Sequence, residues 1–157
     1  MTLLTTQNER RLRKCDNEIA NACINTIKNK LNDLSIDDIK ITNTRLDFKN
    51  PFFNFGQGRT HLMAPIDKGY FEINISTRTF IYSYSFARTF YFTLGLSVFI
   101  GLPAYFSMHS IFPGLFAFAW LFGVNWIITT IRHETFINRL TDSLNAQIKK
   151  SHSKPVS

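Results

Sequence analysis

Apolar positions along this chain follow three different periods, and each period ends at a recognisable place. Residues 7–33 repeat Leu12, Cys15, Ile19, Cys23, Ile27 and Leu31 at steps of three or four, which predicts an amphipathic helix with polar residues on its opposite face. From Asp38 to Phe86 the period falls to two. The segments IKITNTRLDF, THLMA, GYFEINI and TFIYSYSF are rich in β-branched and aromatic residues. Turn signals separate them at Asn50-Pro51, Gly56-Gln57-Gly58 and Asp67-Lys68-Gly69, so three or four antiparallel strands are expected. An even loop centred on Thr77 and Arg78 would pair Ile75 with Phe80, Ile73 with Tyr82 and Phe71 with Tyr84. All six side chains then share one face, while Glu72, Asn74, Ser83 and Ser85 share the other. The amphipathic helix is the natural cover for the apolar face.

The third pattern has no polar side at all. Between Arg88 and Arg132 lie 43 residues without Asp, Glu, Lys or Arg. As one helix they would run about 65 Å, twice the roughly 30 Å of a hydrocarbon core. Two spans are therefore predicted, near Thr89 to Phe106 and Phe112 to Ile131. The break falls where Pro103, Ser107, His109, Ser110, Pro113 and Gly114 cluster. Runs such as LGLSVFIGLPAYF and GLFAFAWLFGVNWII are apolar all round, which points to lipid and not to a buried soluble hairpin. After Arg132 the helical period returns with Phe136, Ile137, Leu140, Leu144 and Ile148.

The chain is thus expected to be an α+β membrane protein in three parts. Residues 1–88 form a cytoplasmic domain of an N-terminal amphipathic helix and a three- to four-stranded antiparallel sheet. Residues 89–131 form a two-helix transmembrane hairpin, and residues 132–157 a cytoplasmic helical tail. The sheet, joined to the first span by Ala87 and Arg88 alone, must sit against the membrane surface.

Charge supplies the orientation. Residues 1–88 hold 13 Lys and Arg, the loop between the spans none, and residues 132–157 hold 5. Both ends are expected in the cytoplasm, most plausibly at the plasma (inner) membrane. The first 25 residues contain NERRLRK and no apolar h-region, so the first span is expected to act as the insertion signal. The net charge of +7 agrees with this topology, and no basic run is long enough for nucleic-acid recognition. Arg10, Arg11, Arg13 and Lys14, in the first turns of the predicted helix, are candidates for lipid-headgroup contact, as are Arg88 and Arg132 at the span ends.

Within the spans, Ser97 and Gly101 form a small-xxx-small pair, and Gly123 and Asn125 lie at matching depth on the second helix. Asn125, the only carboxamide there, is expected to bond across to Thr93 or Ser97. Packing within one chain and pairing between copies are both open at this point.

Little else carries chemistry. Cys15 and Cys23 stand eight residues apart, about 12 Å along one helix, too far for a disulfide. His133-Glu134 opens like a zincin motif, but Ile137 stands where the second His belongs. Gly56-Gln57-Gly58 lacks a third glycine, and Asp37, Asp38 and Asp47 read as solvated charges. No cofactor, metal or catalytic residue is expected. The functional expectation is a non-catalytic accessory subunit or adaptor that docks a protein partner at the cytoplasmic membrane surface. The alternative is a membrane-acting effector or immunity protein that self-assembles in the bilayer. An enzyme acting on lipid headgroups would need an interfacial polar cluster that the sequence does not supply.

Overall fold

The computed structural model describes residues 4–14, 16–36, 38–50, 62–63 and 65–153. It is a mixed α+β architecture in which a five-stranded antiparallel sheet, β1 (Thr5–Arg11), β2 (Asp38–Thr42), β3 (Arg45–Lys49), β4 (Lys68–Asn74) and β5 (Thr79–Ser85), is ordered β1-β5-β4-β3-β2. Helix α1 (Asn17–Asp33) separates β1 from β2. Beyond the sheet come α2 (Ala87–Met108) and α3 (Phe112–Phe118), and then, after a π-helical stretch at Ala119–Val124, α4 (Asn125–Ser153).

The predicted helix over 7–33 divides in two. Its first part is β1, which pairs along its whole length with β5, from Thr5 opposite Ser85 to Arg11 opposite Thr79. TTQNERR has no apolar face to bury as a helix, whereas the free edge of β5 offers a row of unpaired backbone groups. The helix proper begins after Asp16, whose carboxylate accepts the Ile19 N–H at 2.9 Å as an N-cap. From there the predicted face holds: Cys23, Ile27 and Leu31 are buried, joined by Ala20 and Ile24.

IKITNTRLDF is a hairpin and not one strand, because Asn43 turns the chain at φ 51°, a left-handed conformation that Asn tolerates better than most residues. Of THLMA, Leu62 and Met63 lie in a turn, and the rest lies outside the described residues, as do the predicted turns at Pro51 and Gly56-Gln57-Gly58. Lys68 and Gly69, expected in a turn, open β4.

The β4–β5 register differs from expectation by two residues. Ile73 stands opposite Phe80 and Phe71 opposite Tyr82, because the loop is Ile75–Arg78, with Arg78 at φ 56°. A shift of two preserves the face of every side chain. Phe71, Ile73, Phe80, Tyr82 and Tyr84 are accordingly all buried. They form a continuous aromatic row, with Phe71 stacked on Tyr82 at 4.4 Å between centroids and Tyr82 beside Tyr84 at 4.9 Å. Gly69 completes this face from below: a Cβ there would collide with the Ser83 carbonyl oxygen and lie 2.7 Å from the Phe48 ring.

Two helices share the cover of this face. The buried side of α1 meets Ile137, Leu140, Leu144 and Ile148 of α4 in one core with the aromatic row. Helix contacts place α4 toward β1 and α1 toward β3. The C-terminal helix, whose destination the sequence leaves open, therefore packs on the sheet.

Candidate membrane hairpin and its junction with the sheet

Two helical segments, Ala87–Ser107 and Phe112–Ser151, are long and apolar enough to cross a membrane. Their most apolar windows are only 11% and 6% buried within the protein. A core helix of a soluble protein buries such a surface against its own chain. Here Phe92, Phe99, Phe106, Phe112, Phe116, Trp120 and Ile131 all stand exposed. Mid-helix hydroxyls are satisfied within their own helices: Thr93 Oγ1 donates to Thr89 O at 2.9 Å, Ser97 Oγ to Thr93 O at 2.6 Å and Thr130 Oγ1 to Trp126 O at 2.8 Å. This is the arrangement a lipid environment requires.

The hairpin closes on glycine. Gly101 of α2 faces Gly114 of α3 so closely that a Cβ built at Gly114 would lie 2.9 Å from Gly101 Cα and 3.1 Å from Ser97 O. Ser97 and Gly101 thus lie against Gly114 in this hairpin. Gly114, read from the sequence as a helix breaker, is their partner. Phe90, Phe118 and Phe122 pack edge-on and stacked beside this seam, 5.3–5.6 Å apart. The other two predicted residues lie elsewhere. A Cβ at Gly123 would meet nothing within 4 Å, and Asn125 is exposed, its Nδ2 donating to Leu121 O of its own helix at 2.6 Å. The expected bond from Asn125 to Thr93 or Ser97 is not made. The carbonyl one turn back, inside the π-helical stretch, is nearer than the opposite helix.

Where the hairpin meets the sheet, two polar knots tie them together, the first half-buried and the second buried. In the first, the Arg88 backbone N–H donates to Asp67 Oδ2 at 2.7 Å, and its guanidinium donates to Asn50 O at 3.1 Å and Ile66 O at 2.9 Å. Asp67 also stands 3.5 Å from Arg88 Nε, and Thr89 Oγ1 donates to Pro65 O at 2.8 Å. In the second, His133 of α4 is fully buried beneath the aromatic row, 4.8 Å from the Tyr84 ring. Its Nε2 lies 2.9 Å from Leu62 O, which can only accept, so Nε2 carries the proton. Nδ1 then accepts the Tyr82 hydroxyl at 2.8 Å. Burial pulls the imidazole down to about 4, opposed in part by the bond to Leu62, and the same burial pushes the Tyr82 phenol well up. Both nitrogens of the His133-Glu134 pair's histidine are therefore occupied by structural partners. Among the described residues no three His, Cys, Asp or Glu side chains are grouped to hold a metal ion, and Cys23 is buried in the core.

The six basic residues proposed for headgroup contact fall in different places. Because β1 runs antiparallel to β5, Thr5 lies at the hairpin end and Arg11 at the far end, roughly 20 Å away at about 3.3 Å per residue. Arg10, Arg11, Arg13 and Lys14 thus gather at the pole of the sheet distant from the hairpin. For Arg11, Arg13 and Lys14 that is about two Debye lengths or more, each about 8 Å, from the hairpin end of the sheet, whereas the Arg10 guanidinium reaches back to Glu134, two residues past Arg132. Arg10 is instead bonded to Asn138 at 2.9 Å and Glu134 at 3.4 Å, and the Arg13 backbone N–H to Asn145 at 2.8 Å. Arg88 is engaged in the first knot, and Arg132 is exposed beside the second. The knots themselves escaped the sequence reading, since Asp67 reads there only as a turn residue and His133 only as part of an incomplete zincin motif. No protein-family model, no curated protein and no solved structure matches this chain.

Proposed function

We propose that this chain is a non-catalytic integral membrane protein with two spans and both ends in the cytoplasm, whose α+β domain docks a protein partner at the membrane surface. One observation carries the reading: two long helices whose most apolar stretches are almost unburied, in a segment free of charge over 43 residues, are fused without a linker to a folded domain. The 13, 0, 5 distribution of basic residues supports the orientation. The accessory role is supported by the sheet's outer face, since both helices that pack on the sheet lie on the other side. Reporter fusions test the topology. Fusions at residues 88 and 157 should score cytoplasmic and a fusion at His109 translocated. Opposite locations for the two termini would overturn the reading. Purification from native membranes, with the co-purifying protein identified by mass spectrometry, tests the docking role.

A further inference from the structure

The outer face of the sheet is not uniformly flat. Its residues form rows across the strands, and the row nearest the hairpin is Thr5, Ser85, Lys68, Lys49 and Asp38. Ser83 and Ser85 are small and sit between larger side chains on β1 and β4, leaving a recess of about 320 Å³ lined also by Lys49, Lys68 and Tyr70. Lys49 and Lys68 are direct cross-strand partners. Like charges placed opposite each other destabilise a sheet, and among the described residues neither lysine is ion-paired, the ion pairs on this face being those of Arg45 with Asp47 and Glu72. The nearby carboxylate in the recess, Asp47, is already neutralised by a bidentate Arg45 at 2.8 and 3.0 Å.

The place of this pair in the chain matters as much as its charge. Lys49 precedes Asn50 and Lys68 follows Asp67, the two residues that hold Arg88 at the first turn of α2. The lysines are therefore one residue removed from the point where the chain enters the hairpin. If the hairpin lies in a bilayer, they stand at the depth of the phosphate groups, beside a concave, hydroxyl-lined space.

We propose that this recess binds the phosphate of an anionic phospholipid headgroup, with Lys49 and Lys68 flanking the phosphate and the Ser83 and Ser85 hydroxyls donating to its oxygens. The site rests on the membrane reading above and adds a ligand to it. Arg88 takes no part, because its donors are held by Asn50 and Ile66. Asp38 stands opposite Lys49 on β2, but Lys68 has only Ser85 and Lys49 beside it, and the ligand supplies the negative charge that Lys68 lacks.

The test uses the full chain in an uncharged detergent, titrated with short-chain phosphatidylglycerol, with phosphatidylcholine of the same chain length, and with inorganic phosphate. Binding is read by native mass spectrometry and by the thermal midpoint. Phosphatidylglycerol should bind at least tenfold more tightly than phosphatidylcholine. Lys49→Gln with Lys68→Gln should weaken it by roughly tenfold or more, from about 1 kcal/mol per basic residue near an anionic surface. Lys49→Arg with Lys68→Arg should retain it. Lys149→Gln with Lys150→Gln, which removes the same charge at the far end of α4, should also retain it. Equal loss in those last two variants, no loss in the first, or equal binding of the two lipids would overturn the site. Inorganic phosphate that competes at the same concentration would assign the recess to free phosphate and overturn the lipid. Should the Gln variant fail to fold, the preference between the two lipids still decides. Alkaline carbonate extraction separates the two levels of the argument. Release of the chain from membranes overturns the membrane reading, whereas retention without lipid preference overturns the recess alone.

Discussion

Lowering the pH from 7.5 to 5 should destabilise the α+β domain by about 2 kcal/mol through His133 alone. In the folded protein the imidazole is neutral, donating from Nε2 to Leu62 O and accepting at Nδ1 from Tyr82. It titrates at about 4 there, against 6.5 for the unperturbed group. Between these values the unfolded chain binds more protons than the folded one, so stability rises with pH. The contribution is fully present above about pH 7 and falls as pH drops through the unfolded value. It levels off below the folded one, after a total loss of roughly 3 kcal/mol for a shift of two to three units. Protonation also turns Nδ1 from acceptor to donor and breaks the bond from Tyr82. The measurement is chemical unfolding of the full chain in detergent at half-unit pH intervals, beside His133→Gln. The variant should be less stable at pH 7.5 by about 1–3 kcal/mol, for one or two buried groups left poorly paired. The two curves should converge toward pH 5, because only the native residue loses stability there. Parallel curves would show that His133 does not titrate within this window, and the burial argument would fail.

Three further outcomes follow from the packing. Gly114→Ala should loosen the hairpin by about 1–3 kcal/mol, since its Cβ meets backbone and no flexible side chain; Gly123→Ala, with open space around it, should be neutral or slightly stabilising in the same detergent unfolding assay. Asn125→Leu should change hairpin stability by less than about 0.5 kcal/mol, because the amide bonds only its own helix, and loss of cross-linked oligomers in this variant would instead show that it joins separate copies. Ile73→Asp should cost the domain several kcal/mol, about 3 or more for an unpaired buried charge, whereas Asn74→Asp on the outer face should cost under about 1, both read by urea unfolding.

The parts of this fold that the sequence reveals are those in which burial is one-sided over many residues. The 43-residue apolar segment, the alternation in β4 and β5 and the helical period after Arg132 are of this kind. Register is not, because alternation fixes only parity. Pairings that sum to 155 and to 153 bury the same side chains, and the choice rests on a four-residue loop closed by a left-handed Arg78. The first strand is hidden for a different reason. TTQNERR is an edge strand, half-exposed and polar, and its paired residues lie 68 to 80 positions away, so neither period nor propensity marks it. That strand carries Arg11, Arg13 and Lys14 to the end of the sheet away from the hairpin. Gly114 was legible as punctuation but not as a contact, since a glycine in a break and a glycine in a seam have the same letter.

The stretch of residues 62–63 and 65–67 ties the domain to the hairpin. It receives bonds from both chains that cross the junction: Arg88 donates to Ile66 and Thr89 to Pro65 from the α2 side, and His133 donates to Leu62 from the α4 side. Asn50 adds a bond to the Met63 carbonyl from the end of β3. Each acceptor is a backbone oxygen that would otherwise be left dry between sheet and hairpin, at a cost of about 1–3 kcal/mol apiece. A change in the angle between α2 and α4 must therefore break one set of these bonds or drag the segment with it. Because Asp67 also bonds backbone to backbone with Ser85 and Asn50, such a drag reaches the hairpin-side row of the sheet, where Lys49 and Lys68 stand. An occupant of the proposed outer recess would thereby be linked to the angle between α2 and α4 through residues 62–63 and 65–67.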